Sequence, residues 1–143
     1  MSSELLGPRS MNKVNHQNLL VPGKFFLAGE YLALRGGPTL TVAMKPYFSF
    51  QKFSGTYSFH PQSPAGRLSH LPLDGHLFDP HQNKGGMGLS TAEFIFQYSE
   101  KNKKTDKWAK DSEQVIQCWQ TYRQLHADEK NPPSGVDLIT QLM

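Results

Sequence analysis

The spacing of apolar positions changes several times along the chain, and each change predicts an element. The run Phe25, Phe26, Leu27, Ala28, entered through Val21, Pro22, Gly23 and Lys24 and closed by Gly29, predicts a buried strand. Tyr31 to Leu34 predicts one short helical turn, broken by Gly36, Gly37 and Pro38. Thr39–Met44, Tyr47–Phe53 and Thr56–His60 are rich in β-branched and aromatic residues, predicting three β segments separated by Pro46 and by Ser54 and Gly55. The stretch 61–84 carries Pro61, Pro64, Gly66, Pro72 and Pro80 and predicts a long loop. From Leu89 to Lys101 the period turns helical, with Glu93, Gln97, Glu100 and Lys101 on a polar side and Leu89, Ala92, Ile95 and Phe96 on an apolar one. A second helix is predicted from about Asp111 to His126. Val115, Ile116, Trp119, Tyr122 and Leu125 form its apolar side, with Trp119 and Tyr122 as core, and Asp111 and Gln114 stand at a capping-box spacing. A helix start follows Pro132 and Pro133, with Val136, Leu138, Ile139 and Leu142 as its apolar positions.

Candidate chemistry concentrates in three places. In GGMGLSTA, Gly85, Gly86 and Gly88 allow backbone N–H groups to turn inward around a phosphate, directly before the helix at Leu89. Unpaired amides and the positive end of the macrodipole then meet at one point. Ser90 and Thr91 fall in the first turn, where a hydroxyl can cap the helix, contact a phosphate oxygen or ligate Mg²⁺. No lysine follows the last glycine, so the loop is not a Walker A sequence and its cationic partner must come from elsewhere. Lys24, at the mouth of the first strand, is that candidate. Asp137, in the first turn of the last helix, is the candidate carboxylate; the same position also suits an ordinary contact with the helix dipole.

VPGKFFLAGEYLALRGGPTL resembles the first motif of the GHMP kinases, the superfamily of galacto-, homoserine, mevalonate and phosphomevalonate kinases. GGMGLSTA resembles their phosphate loop, and PPSGVD the segment holding their acidic active-site residue. Glu30 followed by Tyr31 is closer to the phosphomevalonate kinases, whereas Ser-Gly-Val-Asp is also similar to the mevalonate kinase motif. The resemblance implies an α+β fold, a small largely antiparallel sheet packed by helices on one side, as in the GHMP N-terminal domain and the second domain of a small-subunit ribosomal protein. It implies transfer of the γ-phosphoryl of MgATP to mevalonate or phosphomevalonate, with ATP and Mg²⁺ as cofactors. Gly85, Gly86, Gly88, Ser90 and Thr91 would hold the nucleotide, Ser90 the metal, and Lys24 and Asp137, brought together across one pocket, the chemistry. Glu30, Tyr31 and Ser134 would face the acceptor.

Two departures from the family qualify this. Leu89 replaces the first Ser of the phosphate loop and Glu93 adds a negative charge one turn later, expected on the outward face, so weaker ATP binding is anticipated. The family's third glycine-rich motif has no match here, and the chain reads as the N-terminal portion of a kinase with the C-terminal kinase domain absent. Self-association, or pairing with a C-terminal kinase half, is expected. The alternative to a kinase is a non-catalytic phosphate-binding or interaction module derived from one.

Composition is consistent with a small domain. The 143 residues divide into a polar flexible leader, 1–18, and one domain, 19–143. Fifteen Lys and Arg against 12 Asp and Glu give +3, compatible with an anionic small-molecule substrate but too mild to argue for nucleic acid. Lys101, Lys103, Lys104, Lys107 and Lys110 read as a solvated linker, with an electrostatic funnel for phosphates as the alternative. Cys118 is the sole cysteine, which excludes an intrachain disulfide and points to a reducing compartment. With no membrane-spanning apolar run, a cytoplasmic location is expected and membrane association is not. His70, His76 and His81 with Asp74 and Asp79 match no established zinc spacing and read as a polar loop.

Overall fold

The computed structural model describes residues 19–105 and 107–143; the expected leader lies outside the described residues. A three-stranded antiparallel sheet, ordered β1-β2-β3, forms one layer and helices cover its inner face. β1 spans Leu19–Ala28 and pairs with β2, Leu40–Tyr57, from Leu19 opposite Phe50 to Ala28 opposite Leu40. β1 is an edge strand, which is why Pro22 is tolerated: its missing N–H interrupts no central ladder. The three β segments expected between Thr39 and His60 are therefore one long strand, continuous through Pro46 and Gly55.

The expected loop at 61–84 is corrected. It contains α2, Pro64–Leu68, and β3, Leu73–Phe78. Pro64 occupies the first turn of α2 behind Ser63, whose hydroxyl accepts from the Gly66 N–H at 3.1 Å, so this proline starts a helix rather than breaking structure. In β3, Leu73, Gly75 and Leu77 point inward and Asp74, His76 and Phe78 outward, a two-residue alternation that a count of prolines hides.

α1 is the four-residue turn Glu30–Ala33, and α3 spans Leu89–Lys101. A 3₁₀ turn at Trp108–Lys110 precedes α4, Ser112–Gln124, and α5 is Val136–Leu142. Val21, Phe48, Phe50, Leu73 and Leu77 of the sheet pack with Ala92, Phe94, Ile95, Phe96 and Tyr98 of α3, then Trp108, Cys118, Tyr122, Leu138 and Leu142. The polar side expected on α3 is corrected as well. Gln97 is buried and donates to the Ser69 and Leu71 carbonyls at 3.2 and 3.0 Å, because α2 and the turn after it cover that side. On α4 the apolar side is rotated: Ile116 is exposed, and Cys118 and Tyr122 carry the burial. Burial pushes the Cys118 thiol up to about 12. The outer face of the sheet stays apolar and open, with Leu20, Phe25, Leu27, Leu40 and Val42 exposed.

Candidate functional site

The first half of the site is the edge of β1. Residues alternate across a strand, so Lys24 and Phe26 share the inner face while Phe25 and Leu27 look outward. Lys24 is 5 % exposed, its Nζ 4.5 Å from the centroid of the Phe26 ring and 2.9 Å from Oδ2 of Asp137. These two residues are 113 positions apart and belong to different elements. A lysine buried to this degree needs a charged partner, and Asp137 supplies it.

Asp137 is held by the way α5 begins. Gly135 caps the helix at φ +80°, and a Cβ there would come within 2.6 Å of the Trp119 indole nitrogen. That nitrogen donates to the Ser134 carbonyl at 3.2 Å, fixing the turn from α4. The Ser-Gly sequence thus permits a left-handed turn pressed against Trp119, and Asp137 follows in the first turn of α5.

The second half is the glycine loop. Asp79 accepts from the His81 and Asn83 amides at 2.8 and 2.7 Å, winding the chain after β3 through left-handed Gln82 and Asn83. Gly85 and Gly86 are exposed and have open space where a Cβ would stand; Gly86 has φ +85°. Gly88 is the α3 N-cap at φ +93°, with no side chain satisfying the first-turn amides. The loop docks on β1 through the Lys24 N–H, which donates to the Met87 carbonyl at 3.0 Å.

Two clefts meet at Asp137. One, about 300 Å³, is lined by Lys24, Lys84, Gly85, Gly86, Gly88, Leu89, Ser90, Glu93 and Asp137. The other, about 170 Å³, is lined by Phe26, Glu30, Tyr31, Tyr122, Ser134 and Asp137 among others. The sequence candidates therefore sort into two groups, one in each cleft, with Asp137 common to both. Thr91 joins neither: it is buried, and its single hydroxyl hydrogen is shared between the Gly88 carbonyl, 3.0 Å away, and Oε1 of Gln141.

Glu93 corrects its expected outward position. It lines the first cleft, half-buried, and accepts from the Tyr57 hydroxyl at 2.6 Å. Burial raises its carboxyl above the usual carboxylate range; the Tyr57 bond lowers it in part, and the Asp79 charge raises it further. The Tyr57 hydroxyl is itself pushed up, by burial first and then by Glu93.

Gln141 is the residue that sequence reasoning passed over. It is 3 % exposed, and its Nε2 donates to the Pro22 carbonyl at 2.8 Å and the Gly88 carbonyl at 3.1 Å. Its one sequence signal is the i, i+4 spacing from Asp137, which puts both on one face of α5. Among the described residues no group of three or more His, Cys, Asp and Glu is assembled to hold a metal. Of the histidines offered by the sequence, His76 stands outward on β3, whereas His81 packs 5.2 Å from the Phe48 ring behind Gly23.

The groups present fit a phosphate chain. Lys24 and Lys84 supply positive charge, and the open glycines and uncapped α3 amides supply donors. Ser90, exposed in the cleft, and the Asp137 carboxylate are oxygen donors of the kind Mg²⁺ takes. Compared with models of known protein families, with curated proteins and with solved structures, the chain matches none. No helix among the described residues is long and apolar enough to cross a membrane.

Proposed function

We propose that the chain is built for phosphoryl transfer of the GHMP kinase type, from MgATP to an oxygen of a small anionic acceptor such as mevalonate or phosphomevalonate. The observation that carries this reading is Asp137, whose carboxylate holds Lys24 at 2.9 Å while lining both the glycine-loop cleft and the Glu30–Tyr31–Ser134 cleft. Donor and acceptor would then meet at Asp137, each from its own cleft. Phosphoryl transfer asks mainly for positioning and charge neutralisation, and each residue has a task of that kind. The glycine-loop amides bind phosphate oxygens, and Lys24, released in part from Asp137, faces the charge developing on the transferred group. Asp137 orients the acceptor and, for a hydroxyl acceptor, accepts its proton. Ser90 and Asp137 would hold Mg²⁺, which when bound neutralises phosphate charge. Leu34 and Phe26 give the acceptor cleft an apolar wall.

One observation favours a second reading, a phosphate-binding module without turnover. Glu93 places a carboxylate beside the glycine loop and Leu89 lines the cleft without a hydroxyl, so a bound phosphate would meet less charge neutralisation than its transfer requires. An ADP-release assay with mevalonate and with phosphomevalonate separates the two. Turnover abolished by Lys24→Ala and by Asp137→Ala supports the kinase. Saturable MgADP binding without turnover supports the module. Absence of both defeats the phosphate reading. Pairing with a second copy or with a complementary kinase half completes the proposal, and mixing experiments in the same assay test it.

A further inference from the structure

β1 is an edge strand, and its outward backbone groups need partners. Two of them, the Pro22 carbonyl and the Lys24 N–H, flank the site, and neither is left to solvent. The Lys24 N–H donates to the Met87 carbonyl of the glycine loop, and the Pro22 carbonyl accepts from Nε2 of Gln141. The same Nε2 also donates to the Gly88 carbonyl, and Oε1 of Gln141 is bonded to the Thr91 hydroxyl. One buried amide therefore joins the strand that carries Lys24, the end of the glycine loop and the first turn of α3. Gly88 makes room for this amide, since a Cβ there would lie 2.6 Å from Nε2 of Gln141. Asp137 is one turn earlier on the same helix and holds the Lys24 side chain.

We infer that Gln141 is a positioning residue which fixes the glycine loop against Lys24, so that α5 sets both the charge pair and the phosphate cradle. Asp137 and Gln141 then act as a rigid two-pronged key, with the side chain of Lys24 held by one prong and its backbone surroundings by the other. Gln141 touches no reacting atom. Its effect is to hold the loop amides and the Lys24 ammonium at a constant separation, the preorganisation on which phosphate binding depends. The consequence for nucleotide affinity rests on the phosphate reading above; the docking of the loop does not.

Hydrogen exchange of the free 143-residue chain tests the docking. In the unaltered protein the Lys24 amide is protected by Met87. In Gln141→Leu, which keeps most of the volume and removes all three bonds, exchange at Lys24, whose N–H donates to the Met87 carbonyl, accelerates at least about tenfold, whereas Phe48 and Phe50 in the central strand keep their protection. MgADP affinity, measured by calorimetry, falls about tenfold or more in the same variant. Thr91→Val, which removes one of the three bonds, has a smaller effect on both. Should Gln141→Leu not fold, Gln141→Asn, the same amide one methylene shorter, is read in the same way. Unchanged protection at Lys24, or equal loss of protection throughout the sheet, overturns the inference. Failure of the unaltered protein to bind MgADP defeats the phosphate reading alone, because local exchange at Lys24 still reports the docking.

Discussion

At the scale of single residues, the Lys24–Asp137 pair is asymmetric. The lysine side chain is 7 % exposed and the aspartate 32 %, so removing the partner is not equivalent from the two sides. Asp137→Ala leaves an ammonium buried without compensation, expected to cost about 3 kcal/mol, while Lys24→Met leaves a carboxylate that water can reach and costs less. Urea unfolding of both variants checks the order; equal losses would mean that the ammonium is far better solvated than its burial indicates. Glu93 makes a second prediction. Its folded carboxyl titrates above the ordinary value of 4.5, so its contribution to stability is fully present below that value and is lost as pH rises through the raised one. Glu93→Gln keeps an acceptor for Tyr57 and removes the charge. Its melting temperature should match the unaltered protein in acid and exceed it at neutral pH, and a gap independent of pH would contradict the assignment. Removing one unit charge at about 4 Å in water should also tighten MgADP by about 1 kcal/mol, near fivefold.

At the scale of elements, two glycines decide whether helices can begin where they do. Gly88 and Gly135 both have positive φ, and a Cβ at either would collide with a neighbouring side chain, the buried Gln141 and the partly buried Trp119 respectively. Gly135→Ala is expected to lose about 2–3 kcal/mol from backbone strain and the displaced indole together, seen as a lower denaturation midpoint with a shifted Trp119 emission. Gly85→Ala, with open space around its Cβ, should be close to neutral for stability. The helix starts were legible in sequence because Gly followed by apolar periodicity is a local signal. β3 was not, because prolines on either side of Leu73–Phe78 mark a loop by composition, and only pairing with β2 makes a six-residue alternation into a strand. The continuity of β2 was hidden for the same reason.

At the scale of the whole molecule, one cluster of buried side chains runs from the sheet through α3 to the 3₁₀ turn, α4 and α5. Such a core has no internal boundary at which part of the chain could unfold independently. Far-ultraviolet dichroism and tryptophan fluorescence should therefore follow one coincident transition in urea. Separate midpoints would show that α4, which contributes only Cys118 and Tyr122 as buried residues, melts by itself. The open face bearing Leu20, Phe25, Leu27, Leu40 and Val42 lies outside this core, and substituting Phe25 and Leu27 by Ser should leave the transition nearly unchanged.

The sequence by itself determined what depends on neighbours along the chain: a strand at Lys24, a glycine loop opening a helix, and a carboxylate in a first helical turn. These follow from glycine torsions, helix-end amides and short-range periodicity. That Lys24 meets Asp137 was expected from the family resemblance and not from local pattern; only the tertiary structure decided that Glu93 faces the cleft, that Gln97 is buried and that Gln141 ties three segments together. Periodicity says that one side of a helix is polar but not what will lie against it. For α3, layers on both sides made polar side chains interior, and hydrogen bonding to carbonyls 26 and 28 positions distant made that burial possible.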